Sequence, residues 1–260
     1  MIEASRGGIW TRRLTRAALV LTIGGLAAAL IAAVGSGQGA WSFRGGFDVL
    51  RWAFYAAVAG GVLALVAFVL GRRSGVRSGR LNLLALAVAL AFGGYIARQV
   101  AKASSVPAIH DVATNLDDLP QFAVLKVRAD NLENIPEGDD ATAALPPLER
   151  WKAIHRKGYA DIRTVPMSGG VADVTRRADA LARARGWAIA RSDPAAGAIE
   201  ATDTSLFFRF KDDVVVRVRP DPVRPGGSVV DMRSISRVGG SDIGVNAARI
   251  RAFLRDMRAR

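Results

Sequence analysis

The sequence predicts an α+β protein: three N-terminal transmembrane helices, followed by a soluble domain with an antiparallel sheet and two flanking helices. Three observations lead to this prediction. Hydrophobic residues make up 50% of the 260-residue chain and are concentrated before residue 100 in three runs with almost no charge. Between residues 199 and 237, apolar and polar residues alternate with the period of a strand that has one buried face. Two later stretches, 171–185 and 244–257, have the apolar spacing of amphipathic helices.

The predicted transmembrane region covers residues 1–104, with spans at about 17–34, 52–70 and 81–97. A helix of about 18 residues is long enough to cross a hydrocarbon core of roughly 30 Å. A cleaved signal peptide is the alternative for the first run. That run is longer than the usual apolar core of a signal peptide, and two more spans follow it, so an uncleaved anchor is favoured.

Positive charge predicts the orientation of these spans. Four arginines (Arg6, Arg12, Arg13 and Arg16) precede the first span, and four more (Arg72, Arg73, Arg77 and Arg80) lie between the second and third. The loop between the first two spans has only Arg44, with Arg51 at its edge. Because arginine-rich loops stay in the cytoplasm, the third span is expected to export the rest of the chain. We therefore expect a multi-pass protein of a bacterial inner membrane with a periplasmic C-terminal domain.

The net charge of +13 belongs mostly to the membrane region. Residues 1–104 contain 12 Lys/Arg against 2 Asp/Glu, whereas residues 105–260 contain 24 against 21. The basic excess is thus explained by membrane topology, and no nucleic-acid partner is expected. The sequence has no cysteine, which leaves no disulfide or thiolate chemistry.

Residues 105–150 are expected to be an irregular tether, because five prolines and several acidic residues interrupt them. Residues 151–260 are expected to form the α+β domain. Its predicted elements, in order, are a strand over 159–167, a helix over 171–185, the strands WAIAR, IEATDT, LFFRF, VVVRVRP and SVVDMRSISR, and a helix over 244–257. In LFFRF, Phe208 and Phe210 would face the core.

Strand parity places an arginine-rich set of side chains on one sheet face: Arg209, Arg217, Arg219, Asp231, Arg233 and Arg237. One interpretation is a solvated face with cross-strand salt bridges. The other is a binding surface for an anion, since guanidinium groups recognise carboxylate and phosphate in a bidentate geometry. The sequence leaves both interpretations open.

Two other segments carry candidate ligand-binding residues. In SDIGVNAARI, Ser241 or Asp242 can accept from helix N–H groups, and Asn246 and Arg249 follow in the first turns, so that an anion could sit at the helix N-terminus. Ser236 lies at the end of the preceding strand and completes this candidate set.

In IHDVATN, a pair formed by His110 and Asp111 could act as a general base and its orienting residue. The alternative is that Asp111 and Thr114 make only local turns.

Other chemistry has little support in the sequence. The two histidines, His110 and His155, lack the spacing of a zinc helix, so no metal site is expected. No nucleotide-binding loop or nucleophile elbow is present, and no cofactor is expected. Asp212 and Asp213 would point to opposite faces of an extended strand and so could not share one site; a turn start is their other interpretation.

The strings IHDVATN, GWAIAR, FRFKDDVVVRVRP and VDMRSISRVGGSDIGVNAARI resemble a family of bacterial proteins classed only as a domain of unknown function, which also occurs in plant and algal plastids. The resemblance covers about residues 105–260, and the three-span N-terminal region resembles a proteobacterial subset. It implies no activity. It does imply that the IHD and SDIGVNAARI segments belong to one domain, so that they could share a site.

These observations predict a membrane-anchored envelope protein that binds an anionic ligand, a lipid or glycan head group, through the arginine-rich face, with membrane lipids as partners. The alternative is an enzyme acting on an envelope substrate, with His110 as base, Asp111 as its orienting residue and Arg233 or Arg237 as electrophilic stabiliser. A structural subunit of a membrane complex is the third class. The sequence decides neither between catalysis and binding nor on an oligomeric state.

Overall fold

The computed structural model describes residues 2–133 and 135–259, without the side chains of residues 2–6 and 140. The side chain of Arg6, one of the arginines used to predict topology, therefore lies outside the described part. The chain divides into two compact units. One contains residues 1–101 with 206–209, and the other contains residues 102–205 with 210–260.

The first unit is built from long helices. They are α1 (Ile2–Gly37), α2 (Phe43–Ser74) and α3 (Gly79–Ser105). Each contains one of the three apolar runs and extends beyond it at both ends. All three are long and apolar enough to cross a membrane, over Gly7–Gly37, Phe43–Ser74 and Gly79–Ser105. The three predicted apolar helices are thus confirmed, and their length and composition indicate insertion into a membrane.

Small residues allow these helices to approach closely at Gly60 and Gly61. A Cβ atom on Gly60 would lie 3.0 Å from the carbonyl oxygen of Ala18 and 2.7 Å from a methyl group of Thr22. A Cβ atom on Gly61 would lie 2.9 Å from that of Ala89. By contrast, a Cβ atom on Gly94 would meet no described atom within 4 Å. Gly60 and Gly61 therefore lie where helices pack closely, and Gly94 does not.

The second unit contains a six-stranded sheet in which every pairing is antiparallel. The strands are β1 (Asp111–Ala113), β2 (Val165–Met167), β3 (Ala188–Asp193), β4 (Ala198–Thr204), β5 (Lys211–Pro220) and β6 (Ser228–Ser236). Their order is β1-β6-β5-β4-β3, and β2 also pairs with β6. Strand β6 is therefore an interior strand: β5 pairs along one edge, and the short strands β1 and β2 pair along the other.

Within its described residues, this unit also contains the helices α4 (Asp140–Ala143), α5 (Pro147–Gly158), α6 (Val171–Ala184) and α7 (Val245–Arg258). Helices α6 and α7 cover one sheet face. There the predicted inward valines Val214, Val216 and Val218 are buried, in one core cluster with residues of both helices. This arrangement confirms the predicted α+β class with an antiparallel sheet and flanking helices.

The opposite sheet face is also covered. Residues 105–150, the predicted tether, belong to the second unit and supply β1, α4 and the start of α5. Most of the segment has no regular structure, as its prolines indicate. Its chain nevertheless lies over the polar face of the sheet, where the amides of Ala123, Val124 and Leu125 donate to the buried carboxylate of Glu200 at 2.7–3.2 Å.

The predicted strand LFFRF is wrong. Thr204 and Lys211 stand opposite each other in the β4–β5 pairing, so residues 205–210 form the connection between those strands. The connection is closed by hydrogen bonds between Ser205 and Phe210, and Arg209 has a positive φ of 54°. The side chain of Phe208 is only half-buried and belongs to the loop rather than the sheet core. The predicted strand over 159–167 is also shorter than expected, because only Val165–Met167 pairs.

The glycine contacts generate a prediction for the helical unit. Gly60→Leu should lower the free energy of unfolding by about 1–3 kcal/mol, because a larger side chain must push apart two closely packed backbones. Gly94→Leu, on a helix face with open space, is the matched control and should be nearly neutral. Thermal unfolding of the full chain in detergent measures both. Equal melting temperatures for the two variants would contradict this packing.

Candidate functional site

Most of the predicted site residues meet around β6. This strand supplies Asp231, Arg233 and Ser236, and Arg237 follows it directly. Strand β1 brings Asp111 beside β6, and β5 brings Arg217 and Arg219 along its other edge. Asp242, Asn246 and Arg249 come from the start of α7. Arg209 lies in the β4–β5 connection and is not part of this arrangement.

The ion pair between Arg233 and Asp111 is buried in the middle of the polar face. The Nε and Nη2 atoms of Arg233 lie 3.0 and 2.7 Å from the two carboxylate oxygens of Asp111. The side chains are 8% and 1% exposed. The amide of Asn131 donates to the same carboxylate at 2.8 Å. This guanidinium is therefore held in a closed bidentate contact and is not available to a ligand.

His110 is fully buried, and Asn131 separates it from Asp111. Its Nε2 lies 3.1 Å from the Oδ1 atom of Asn131, and its Nδ1 lies 3.3 Å from the carbonyl oxygen of Gly240. Asn131 thus bridges His110 and Asp111 through the two ends of its amide. Sequence reasoning missed Asn131, since no pattern in the irregular segment distinguishes it.

The start of α7 is fastened to the sheet by a second polar network. The carboxylate of Asp242 accepts from the backbone N–H groups of Gly244 and Asn246 at 2.8 and 2.6 Å. Burial raises the pKa of Asp242, and these two hydrogen bonds oppose the shift. The side chain of Asn246 bonds to Ser234, Ser236, Arg249 and the carbonyl oxygen of His110. The helix start is therefore occupied by the chain's own groups.

The acidic pair of β5 divides between the two sheet faces. Asp212 accepts from Arg249 at 2.6 Å, and Arg249 also donates to Asp203 and Ser234. Asp213 forms a bidentate pair with Arg237, with both distances 2.8 Å. The two carboxylates therefore serve separate ion pairs, as their positions in an extended strand require.

Arg217 and Arg219, with side chains 22% and 40% exposed, lie side by side on the polar face. Both donate to one oxygen of the fully buried Asp231 carboxylate, at 2.9 and 2.7 Å. The other oxygen of Asp231 accepts from Thr164 and Thr114 at 2.5 and 3.2 Å. Asp231 therefore holds the two guanidiniums side by side from below.

Asp118 contacts the same two guanidiniums on the side that faces solvent. Its two carboxylate oxygens accept from Arg217 at 3.1 Å and from Arg219 at 2.8 Å. Its side chain is 57% exposed. The hydrogen bond from Arg217 is the main reason why the pKa of Asp118 is lowered. The Nε atoms of both arginines are buried and have no partner within residues 2–133 and 135–259.

The polar sheet face is thus neither a solvated surface nor an open binding surface. Cross-strand pairs such as Arg217–Asp231 are present, but the segment after β1 covers most of them. The pair formed by Arg217 and Arg219 combines two guanidiniums held by a buried carboxylate with an exposed counter-ion, Asp118. No group of three or more metal-ligating side chains occurs in the described part of the chain.

The buried ion pair generates a prediction on stability. Arg233→Lys should lower the free energy of unfolding by about 1–3 kcal/mol, because an ammonium cannot make both contacts to the buried Asp111. Arg237→Lys is the matched control: its side chain is 42% exposed, and the change should cost less than about 1 kcal/mol. Thermal or denaturant unfolding of the full chain compares the two. A larger loss for Arg237→Lys would contradict this assignment of burial.

Comparison with known proteins identifies a family and no activity. No curated protein matches the chain. A family model described as "Protein of unknown function (DUF1499)" matches residues 110–257, more than half of the chain. The match begins at His110 and ends inside α7, so it includes the whole sheet and both polar networks described above. The chain therefore belongs to the DUF1499 family of proteins of unknown function.

Proposed function

We propose that this protein is a membrane-anchored envelope protein whose second unit binds an anionic ligand through Arg217 and Arg219. The ligand would present a phosphate or carboxylate group, carried by a lipid or glycan head group. Three apolar helices support the membrane anchor. The binding assignment rests on one observation: both guanidiniums contact a buried carboxylate on one side and an exposed carboxylate on the other.

Asp118 acts in this proposal as an internal ligand that an external anion replaces. Two arginines and two aspartates balance in charge when Asp118 is in place. When its carboxylate leaves, one positive charge is uncompensated, while Asp231 still holds both guanidiniums in position. An incoming oxyanion can then take the bidentate contacts that Asp118 gives up.

The space beside Asp118 suits a ligand larger than a simple ion. A cavity of about 470 Å³ is lined by Asp118 and Arg217 and by a second pair of opposite charges, Asp117 and Lys152. The apolar part of the cavity lining comes from Leu116, Leu119 and Leu148. This volume lies within the range of small-molecule sites, and the apolar wall would accommodate the non-ionic part of a lipid or glycan head group.

The enzymatic alternative has weaker support. A general base must come within hydrogen-bond reach of the proton that it abstracts. His110 is fully buried, its two ring nitrogens contact Asn131 and Gly240, and Asp111 is engaged by Arg233. The geometry therefore favours binding at Arg217 and Arg219 over catalysis at His110.

Calorimetric titration of the full chain in detergent tests the proposed site. Inorganic phosphate, dihexanoyl phosphatidic acid and glucuronate serve as probes, which separate a free ion, a lipid head group and a sugar acid. Asp118→Ala should raise the affinity for the preferred probe about tenfold, because the competing carboxylate is removed. Arg219→Lys should lower it about tenfold, because the bidentate contact is lost.

Arg183→Lys is the control for loss of a guanidinium. Arg183 lies on α6, where its side chain is 58% exposed and pairs with Asp179. It belongs to a different element from Arg217 and Arg219, which are on β5. Its substitution should leave the affinity for the probe unchanged. The proposal fails if no probe binds, or if Arg219→Lys and Asp118→Ala titrate like the unsubstituted chain while their melting temperatures show that both are folded.

We further propose that the second unit lies in the periplasm of a bacterium, anchored to the inner membrane. The support is the distribution of arginine, with four before the first span, four in the second loop and one in the first loop. A periplasmic phosphatase fused after Arg260 should be active, and the same enzyme fused at Ser74 should be inactive. The opposite pattern of activity would place the second unit in the cytoplasm.

A further inference from the structure

The connection between β4 and β5 ends in a tip of apolar side chains that the protein leaves exposed. Leu206 is 78% exposed, and its neighbour Phe207 is 49% exposed. A single exposed apolar residue is ordinary on a protein surface, whereas large neighbouring ones mark a surface that contacts a protein or a membrane. Residues 206–209, called here the β4–β5 tip, are therefore a candidate interaction surface.

Two glycines allow the β4–β5 tip to pack directly against helix ends. Residues 206–209 belong to the helical unit of the chain. A Cβ atom on Gly37, the last residue of α1, would lie 2.4 Å from the carbonyl oxygen of Phe207. A Cβ atom on Gly46, in the first turn of α2, would lie 3.0 Å from the ring of Phe208. A side chain at either glycine would displace the tip, so the tip is held closely against α1 and α2.

These helix ends lie where two apolar helices leave the membrane. Gly7–Gly37 and Phe43–Ser74 are each long and apolar enough to cross a membrane, so the short connection between them lies at the membrane surface. Trp41 and Phe47 are 43% and 45% exposed there, and the ring centroids of Phe47 and Phe208 are 4.9 Å apart. Aromatic side chains are enriched at the boundary between lipid and water. The β4–β5 tip is therefore packed on residues of the type that occupy this boundary.

The charge beside the tip also fits a lipid surface. Arg209 and Lys211 are exposed, and the sequence has no acidic residue from Ser205 to Lys211. At a bilayer, an arginine beside apolar residues keeps its guanidinium at the lipid phosphates while the apolar side chains enter the acyl region. Three spans place the α1–α2 connection and the chain after α3 on the same side of the membrane. The β4–β5 tip, which follows α3 in the sequence, is therefore on the side that this contact requires.

We propose that the β4–β5 tip inserts into the lipid surface of the membrane, with Leu206 and Phe207 in the upper acyl region and Arg209 at the lipid phosphates. The occupant of this surface is the phospholipid bilayer and not a second protein, because the tip packs on the ends of helices that the bilayer surrounds. The tip thus attaches the chain to the membrane in addition to the three helices. This attachment goes beyond ligand binding at Arg217 and Arg219 and does not depend on it.

The sequence has no cysteine, so one introduced cysteine carries a nitroxide label at a single known position. Leu206→Cys and Phe207→Cys are labelled in the full chain and measured in phosphatidylcholine nanodiscs by electron paramagnetic resonance. Oxygen concentrates in lipid and a nickel chelate stays in water, so the ratio of their collision rates with the label measures its depth. This ratio should be about tenfold higher at both tip positions than for a label in water, because an interfacial apolar segment reaches roughly 5–10 Å into the lipid.

Val223→Cys is the matched control. Val223 is 82% exposed and lies in the connection at the other end of β5, between β5 and β6. Its label should give the low ratio of a residue in water. Phe207→Asp, introduced into the Leu206→Cys chain, should lower the ratio at residue 206 about threefold, because a carboxylate is costly to place in lipid. An unchanged melting temperature in nanodiscs shows that each substituted chain is folded.

Three results would overturn the proposal. A ratio at residues 206 and 207 as low as that of Val223→Cys would place the tip in water. Slow collisions with both oxygen and the nickel chelate would mean that a protein, such as a second copy of this chain, covers the tip. An unchanged ratio at residue 206 in Phe207→Asp would mean that the label itself, and not the apolar tip, enters the lipid. None of these results bears on phosphate, phosphatidic acid or glucuronate binding at Arg219, so the two proposals are tested independently.

Discussion

The cost of burying charge is the constraint on which the second unit depends. One face of its sheet carries Asp111, Glu200, Asp213, Asp231 and Arg233, all of them buried. A charged group can leave water only if opposite charges or hydrogen-bond donors replace the lost solvation. Each of these groups is so compensated: the ions pair with one another or with neighbouring arginines, and Glu200 receives backbone amides.

This constraint explains why the irregular segment after β1 is a structural layer. It supplies the three amides that solvate Glu200, the amide of Asn131 beside Asp111, and the carboxylate of Asp118 across the arginine pair. These contacts also specify strand register, because Asp231 stands directly opposite Arg217 in the β5–β6 pairing. A slip by one residue would move these charges to the apolar face and leave them without partners.

A ligand can bind most easily where a charged group lacks a partner or has a partner that a ligand can replace. Arg233 and Arg249 are enclosed by their partners and hold the fold together. Arg217 and Arg219 lie on the polar face too, but both of their guanidiniums pair with the exposed carboxylate of Asp118. His155, in the last turn of α5, and Tyr159, directly after that helix, each have one buried polar atom without a hydrogen-bond partner in the described part of the chain. The proposed binding site at Arg217 and Arg219 thus lies at the edge of a network whose interior is closed.

Much of the fold could be predicted from the sequence by itself, because local patterns dictate it. Runs of apolar residues are sufficient for the three long helices, since burial in lipid depends on composition and length. Alternation in β5 and β6 predicts the strands and the polarity of each face, because side chains alternate along an extended chain. The pattern failed at LFFRF, where alternating aromatic residues occupy a hairpin connection whose place depends on the pairing of β4 with β5.

Only the tertiary structure decided what the polar face does. Arg217, Arg219, Arg233 and Arg237 are equivalent by strand period, yet they differ in burial and partners, because the covering segment reaches some of them and not others. No sequence pattern identifies Asn131, Asp118 or Glu200 as important. Their roles come from contacts with residues that are tens of positions away in the sequence. His155 was considered only as a metal ligand. Its unpartnered Nδ1 becomes evident only when β1 occupies its other nitrogen, because hydrogen-bond satisfaction is a property of the packed chain.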